Sequence, residues 1–164
     1  LAPVLETMQV ELEGDPDFVF ERILEASPER VLEALSNYRE RQEWTPGAVR
    51  YEFSENEVTR KGSEHVCVID GRRLDFVAIT TKGKPGQLVY GERTSSPPPV
   101  DEFLQMNFIE ATSENKSQMR TEVYLKAKSP LKKLALALGV KRILKKNFGQ
   151  GLDALEAYLS IDRA

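Results

Sequence analysis

The sequence predicts an α+β fold: a curved, seven-stranded antiparallel sheet closed over one long C-terminal helix, with two short helices near the start. Three observations carry this. Six successive segments between residues 49 and 127 have strand character and are joined by short polar turns, the pattern of an antiparallel meander. Leucines and a phenylalanine recur at three- and four-residue steps through the last part of the chain, the stripe of an amphipathic helix. With 164 residues the chain has the size of one domain.

The first strand is read at about residues 17–26, where Phe18, Phe20, Leu24 and Ala26 fall on one face. Ser27-Pro28 is a helix start: serine accepts from a free first-turn amide and proline fits the first helical position. Val31, Leu32 and Leu35 give that short helix its apolar side, Asn37 ends it, and a second short helix carries Tyr38 to Trp44. Strands follow at 49–53, 63–69, 72–81, 87–94, 100–110 and 118–127. Asp70-Gly71 is a two-residue hairpin signal because both positions accept positive φ. Ser95 to Pro99 and Ser113 to Lys116 read as loops between strands. Ser129-Pro130 repeats the helix start. Leu131, Leu134, Leu138, Leu144, Phe148, Leu152, Leu155 and Leu159 then predict a helix of about 30 residues, broken or bent near Gly139. Gly149 and Gly151 are read either as weak points or as sites of close approach to the sheet. Residues 1–16, acidic and weakly patterned, read as an N-terminal arm, a short edge element or the tail of a neighbouring segment, and residues 17–164 as the domain.

A strongly bent sheet leaves its concave face to be covered, and the last helix is the element able to cover it. The space that curvature leaves between them is a binding cavity. The single histidine, His65, and the single cysteine, Cys67, stand two apart on one strand and so share a face. They read as a ligand contact, or as a buried thiol with a hydrogen-bonded imidazole. A metal site needs further N, S or O ligands at a spacing the sequence does not show, and no oxyanion-hole motif accompanies a Cys–His nucleophile. Trp44 reads as a plug between short helices and sheet, or as a rim residue of the cavity. Tyr90 and Tyr124 can present a hydroxyl to a ligand, and Arg73 a counter-ion for a carboxylate or a partner for Asp75 or Asp101. Phe76, Phe103, Met106, Phe108, Met119, Val123 and Phe148 are candidate wall residues, each with core packing as its plainer reading.

Net charge is −3, but residues 1–64 carry −8 and residues 65–164 carry +5. Lys126, Lys128, Lys132, Lys133, Lys141, Arg142, Lys145 and Lys146 occur with no acid between Glu122 and Asp153. That run is either a solvated helix face or a patch for an anionic membrane or protein partner. Nothing indicates nucleic acid. No apolar run approaches the ~20 residues of a membrane helix, and one cysteine fits a reducing compartment, so the expected location is the cytoplasm. There is no glycine-rich phosphate loop, Gly-x-Ser-x-Gly elbow, CxxC or HExxH motif, and a single histidine leaves few ordinary routes to general-base catalysis. No cofactor is expected, and nothing sets an oligomeric state.

The run from Phe20 to Leu35, FERILEASPERVLEAL, with Trp44-Thr45-Pro46 after it and the leucine-rich last helix, resembles the START/SRPBCC superfamily. That group includes the birch-pollen-allergen fold, polyketide cyclases and lipid-transfer domains. The resemblance covers about residues 17–160 and implies the helix-grip fold. It leaves function open, because this scaffold binds lipids, sterols, polyketides and partner proteins. The stretch Gly62 to Cys67 also resembles a bacterial subgroup in which such domains accompany nucleotide-cyclase-like regions. The expected function is a binding or carrier domain for an apolar small molecule or lipid. Its alternatives are a polyketide-cyclase-like enzyme and a protein-interaction or regulatory module.

Overall fold

The computed structural model describes residues 8–47, 49–52, 64–69, 72–95 and 100–161, with side chains for 8–47, 74–94 and 100–161. Within these, β1 (Met8–Gln9) and β2 (Phe18–Leu24) precede two short helices, α1 (Pro28–Ser36) and α2 (Tyr38–Trp44). Six strands follow: β3 (Val49–Glu52), β4 (Glu64–Ile69), β5 (Arg72–Thr80), β6 (Leu88–Ser95), β7 (Glu102–Ser113) and β8 (Lys116–Lys126). The chain ends in α3 (Pro130–Ala135), a π-helical turn over Leu136–Val140, and α4 (Lys141–Ile161).

The helix starts follow the expected chemistry. Ser27 Oγ accepts from the Arg30 amide at 3.3 Å with Pro28 in the first turn, and Ser129 Oγ accepts from the Lys132 amide at 3.2 Å ahead of Pro130. Asn37 ends α1 and also starts α2, its side chain accepting from the Glu40 amide.

The sheet runs β2-β8-β7-β6-β5-β4-β3, all neighbours antiparallel. The expected count of seven strands is corrected by β1. Two residues of the N-terminal arm pair parallel with Ile79 and Thr80, beyond the last β4 pair at Val77, so the sheet is mixed and has eight strands among the described residues. Asp70-Gly71 and Ser96 to Pro99 lie outside the described residues; the pairings Ile69–Arg72 and Ser95–Glu102 bracket them.

Alternation along the strands sorts the core to two sides. On the helix-covered side Leu24, Ala26, Ala78, Tyr90, Ile109 and Met119 pack with Val31 and Leu35 of α1 and with Leu152, Leu155 and Leu159 of α4. A neighbouring cluster joins Phe18, Val100, Phe103 and Val123 to Phe20, Phe76, Leu136, Leu144 and Phe148. On the other side Ile79, Leu104 and Met106 are covered by Met8, Val10 and Leu12 of the arm together with Phe108. Met106 and Phe108 therefore line the face opposite to the one expected of wall residues. Val10 N donates to Thr80 O, and Thr81 Oγ1 donates to Val10 O, so the arm is hydrogen-bonded as well as packed.

The expected break near Gly139 is present, with φ +139 at that residue, and the expected apolar stripe is corrected in its first half: Leu131, Leu134 and Leu138 are 76%, 54% and 77% exposed. Of the residues before the break, Leu136 packs on the aromatic cluster, and the residues after it supply the remaining contacts with the sheet. Gly149 is not a close-approach site: a Cβ there meets Phe20 at 3.6 Å, an ordinary contact. The glycine that close packing requires is Gly91 on β6, where a Cβ would fall 2.6 Å from both Gln105 O and Met106 Sδ.

These positions predict a sharp contrast. Leu155, fully buried, should cost about 2–5 kcal/mol on truncation to alanine, whereas Leu134→Ala should change stability by less than about 0.5 kcal/mol. Urea unfolding of the two variants measures the difference. Equal losses would show that α3 packs as α4 does.

Candidate functional site

On the helix-covered face β6 presents Tyr90, Glu92 and Thr94 at successive same-side positions. All three are buried, and across β7 their partners in register are Asn107, Gln105 and Phe103. A polar ladder results. Asn107 Nδ2 donates to Tyr90 O at 3.2 Å, and Asn107 Oδ1 accepts from Thr121 Oγ1 at 2.7 Å and from Gln105 Nε2 at 3.3 Å. The Tyr90 hydroxyl donates to Glu92 Oε1 at 2.9 Å and lies 3.2 Å from the Tyr38 hydroxyl. With the Tyr90 proton engaged by Glu92, Tyr38 supplies the proton of the second bond.

A buried carboxylate needs a counter-charge. Arg41 of α2 supplies it, pairing through Nη1 with Glu92 Oε1. The Arg41 guanidinium also lies 5.8 Å from the Tyr38 ring centroid and 5.9 Å from that of Trp44. Trp44 in turn donates from Nε1 to Ala34 O at 3.2 Å. The two short helices thus hold the cation over the carboxylate, and Trp44 packs against the core beside them.

Beyond Glu92 the face turns aromatic. Phe103 stacks on Phe148 of α4, with centroids 4.9 Å apart and planes 17° apart; Phe18 lies against Phe148 at 5.9 Å and edge-on to Phe20 at 5.8 Å. Phe76 and Leu144 pack on the same group. Thr94, opposite Phe103, stands at the junction. It is 2% exposed, and its hydroxyl has no hydrogen-bond partner among the described residues. Leaving a buried hydroxyl unpaired costs about 1–3 kcal/mol. The arrangement sets one buried, unpartnered hydroxyl between a proton-bearing tyrosine pair on a carboxylate and a group of phenylalanine rings.

Of the residues expected from sequence, Phe76, Phe103 and Phe148 meet at this junction, and Tyr90 lies at the other end of the polar ladder, in the core under α1 and α4. Met119 is buried under α1 and α4, away from the aromatic group. Tyr124 is on the opposite face, donating to Glu122 Oε2 at 2.6 Å. His65, Cys67 and Arg73 have described backbone pairing only. Register sets His65 opposite Phe76 and Cys67 opposite Leu74, and sets Arg73 opposite Val68 in the other alternation of β5. Asp101, one partner weighed for Arg73, instead binds the Lys128 amide and the Lys132 ammonium. Sequence reading missed Glu92, Thr94, Asn107, Arg41 and Tyr38. The available signal was the same-side triple Tyr90, Glu92, Thr94, which reads as a solvent-facing set because glutamate is rarely buried.

A single sheet, antiparallel except for β1, gripped by a C-terminal helix, with buried polar groups beside an apolar surface, defines a START-like helix-grip protein. Residues 15–160 match the family described as polyketide cyclase/dehydrase and lipid transport, and the chain belongs to that family. A search of curated proteins found no match. Solved structures of similar fold include a START superfamily protein from Mycobacterium smegmatis, 14% identical over 87% of this chain and 96% of that one, with TM-score 0.60. Norcoclaurine synthase from Thalictrum flavum, a point mutant bound to a transition-state analogue, is 11% identical over 90% and 95% of the two chains, with TM-score 0.66. The di-domain ARO/CYC protein BexL is 16% identical over 85% of this chain and 45% of its own, with TM-score 0.66. The second resemblance, to a subgroup accompanying nucleotide-cyclase-like regions, is not among these findings.

Burial, and then the Glu92 carboxylate, push the Tyr90 hydroxyl well above its ordinary value of 10.0. The folded state therefore keeps this proton where the unfolded chain loses it. Above about pH 10 the unfolded state binds fewer protons, and stability falls as pH rises. Tyr158, raised to about 12 mainly by burial, adds to the same decline. Urea unfolding between about pH 9 and pH 11 should show a steeper loss in the wild type than in Tyr90→Phe. Parallel curves would contradict a buried, proton-holding Tyr90.

Proposed function

We propose that this chain is a binding or carrier domain that holds an apolar small molecule or lipid between the helix-covered face of the sheet and the C-terminal helix. The observation that carries the reading is the Thr94 hydroxyl, buried and unpartnered beside Phe103 and within reach of the aromatic group around Phe148. A ligand with an apolar body and one polar atom satisfies both surfaces: its body covers phenylalanine rings and its polar atom pairs with Thr94. Family membership supports the class of ligand. His65 and Cys67 enter the proposal through register, since their strand positions continue the side that Phe76 occupies.

A second reading is favoured by the Tyr38–Tyr90–Glu92 chain and by the ARO/CYC and synthase neighbours. In it the same site orients a polyketide-like substrate, and a hydroxyl of the pair donates a hydrogen bond to a substrate carbonyl oxygen. Glu92→Gln separates the readings: a carrier retains ligand affinity, and an enzyme loses turnover with affinity preserved.

The test uses a fluorescent naphthalene sulfonate as probe. Wild type should bind it with blue-shifted emission, and an added fatty acid should displace it. Phe148→Ala and Thr94→Val should each weaken probe binding by about tenfold, the loss of one stacked ring or one hydrogen bond. His65→Ala should lower affinity more than it lowers the melting temperature. Unchanged affinity in Phe148→Ala and Thr94→Val alike would overturn the site.

A further inference from the structure

The first half of the last helical segment is built unlike the second. Leu131, Leu134, Leu138 and Ile143 are 76%, 54%, 77% and 61% exposed, four of the six large apolar side chains the described residues leave in water. A soluble helix ordinarily turns such side chains to the core, and an exposed apolar group of this kind marks a contact surface. The same segment holds the basic run. Lys132 is engaged by Asp101 and Lys141 by Asp17, but Lys133, Arg142, Lys145 and Lys146 are exposed and no acid among the described residues pairs with them. No acid occurs in sequence from Val123 to Leu152.

Leucines beside unpaired cations on one amphipathic segment match a surface with an apolar layer beneath anionic groups. We infer that α3, the break at Gly139 and the first turns of α4 form a docking surface for an anionic phospholipid bilayer. The leucines enter the acyl boundary while Arg142, Lys145 and Lys146 meet the headgroups. Gly139, at φ +139, kinks the segment between the exposed leucines of α3 and the exposed basic residues at the start of α4. The segment lies on the surface, since no helix among the described residues is long and apolar enough to cross a membrane. The inference stands apart from the ligand site, because none of these side chains belongs to the polar ladder.

Sedimentation with vesicles tests it. Wild type should sediment with phosphatidylcholine vesicles containing roughly one third phosphatidylserine and not with phosphatidylcholine alone. Binding should fall as salt shortens the screening length from about 10 Å at 0.1 M to about 3 Å at 1 M. Each basic residue near such a surface is worth roughly fivefold in partition, so Arg142→Glu/Lys145→Glu/Lys146→Glu should lower it by at least about a hundredfold. Leu134→Ser/Leu138→Ser should abolish it, with melting temperature unchanged in both variants. Absence of wild-type sedimentation, equal sedimentation with neutral vesicles, or binding unchanged in both variants would each overturn the inference. So would concentration-dependent self-association lost in the leucine variant without vesicle binding, which would make this face an interface between copies.

Discussion

The structure depends on where the C-terminal helix stops covering the sheet. Leu152, Leu155 and Leu159 repeat at three- and four-residue steps and are buried against the sheet and α1. Each such side chain contributes about 1.5–3 kcal/mol through burial, and together they fix α4 over one end of the concave face. One to two turns earlier the contact changes character. Phe148, Leu144 and Leu136 touch a phenylalanine cluster, while Leu131, Leu134 and Leu138, before Gly139, face water. Leucine core, aromatic cluster and exposed leucines are successive contacts along the C-terminal helical stretch.

The second constraint is electrostatic. Glu92 sits on the covered face, and a carboxylate there is tolerable only because Arg41 reaches it from α2. Arg41 is in turn held by Tyr38 and Trp44, so the two short helices position a charge as well as closing the sheet. Asn107 and Thr121 continue the pairing across β7 and β8. Thr94, whose buried hydroxyl has no hydrogen-bond partner among the described residues, stands where the ladder meets the aromatic group. An unpaired hydroxyl at that boundary fits a site that binds by contact with an apolar body and orients it by one hydrogen bond.

Much of this was legible in the sequence. Ser27-Pro28, Asn37 and Ser129-Pro130 act through local hydrogen bonds to their own chain, so their meaning does not wait on the fold. The meander follows from turn spacing, and Gly139 marks the break in the helix. The exposure of Leu131, Leu134 and Leu138 was not legible, because a leucine stripe looks the same whether a sheet or a membrane covers it. The buried polar ladder was also hidden: a glutamate on a strand is ordinarily solvent-facing, and its partner Arg41 is 51 residues away in sequence. A short edge element in residues 1–16 was among the sequence readings, but its position and parallel pairing were not legible, because two residues carry no periodicity.

The central claim is that the covered face of the sheet holds an apolar molecule. Native mass spectrometry of the protein purified from its source cells without added ligand tests it most directly. The account predicts a bound species above the bare chain mass that is extracted by organic solvent and lost from Phe148→Ala. A wild-type spectrum showing the bare chain mass alone would contradict it.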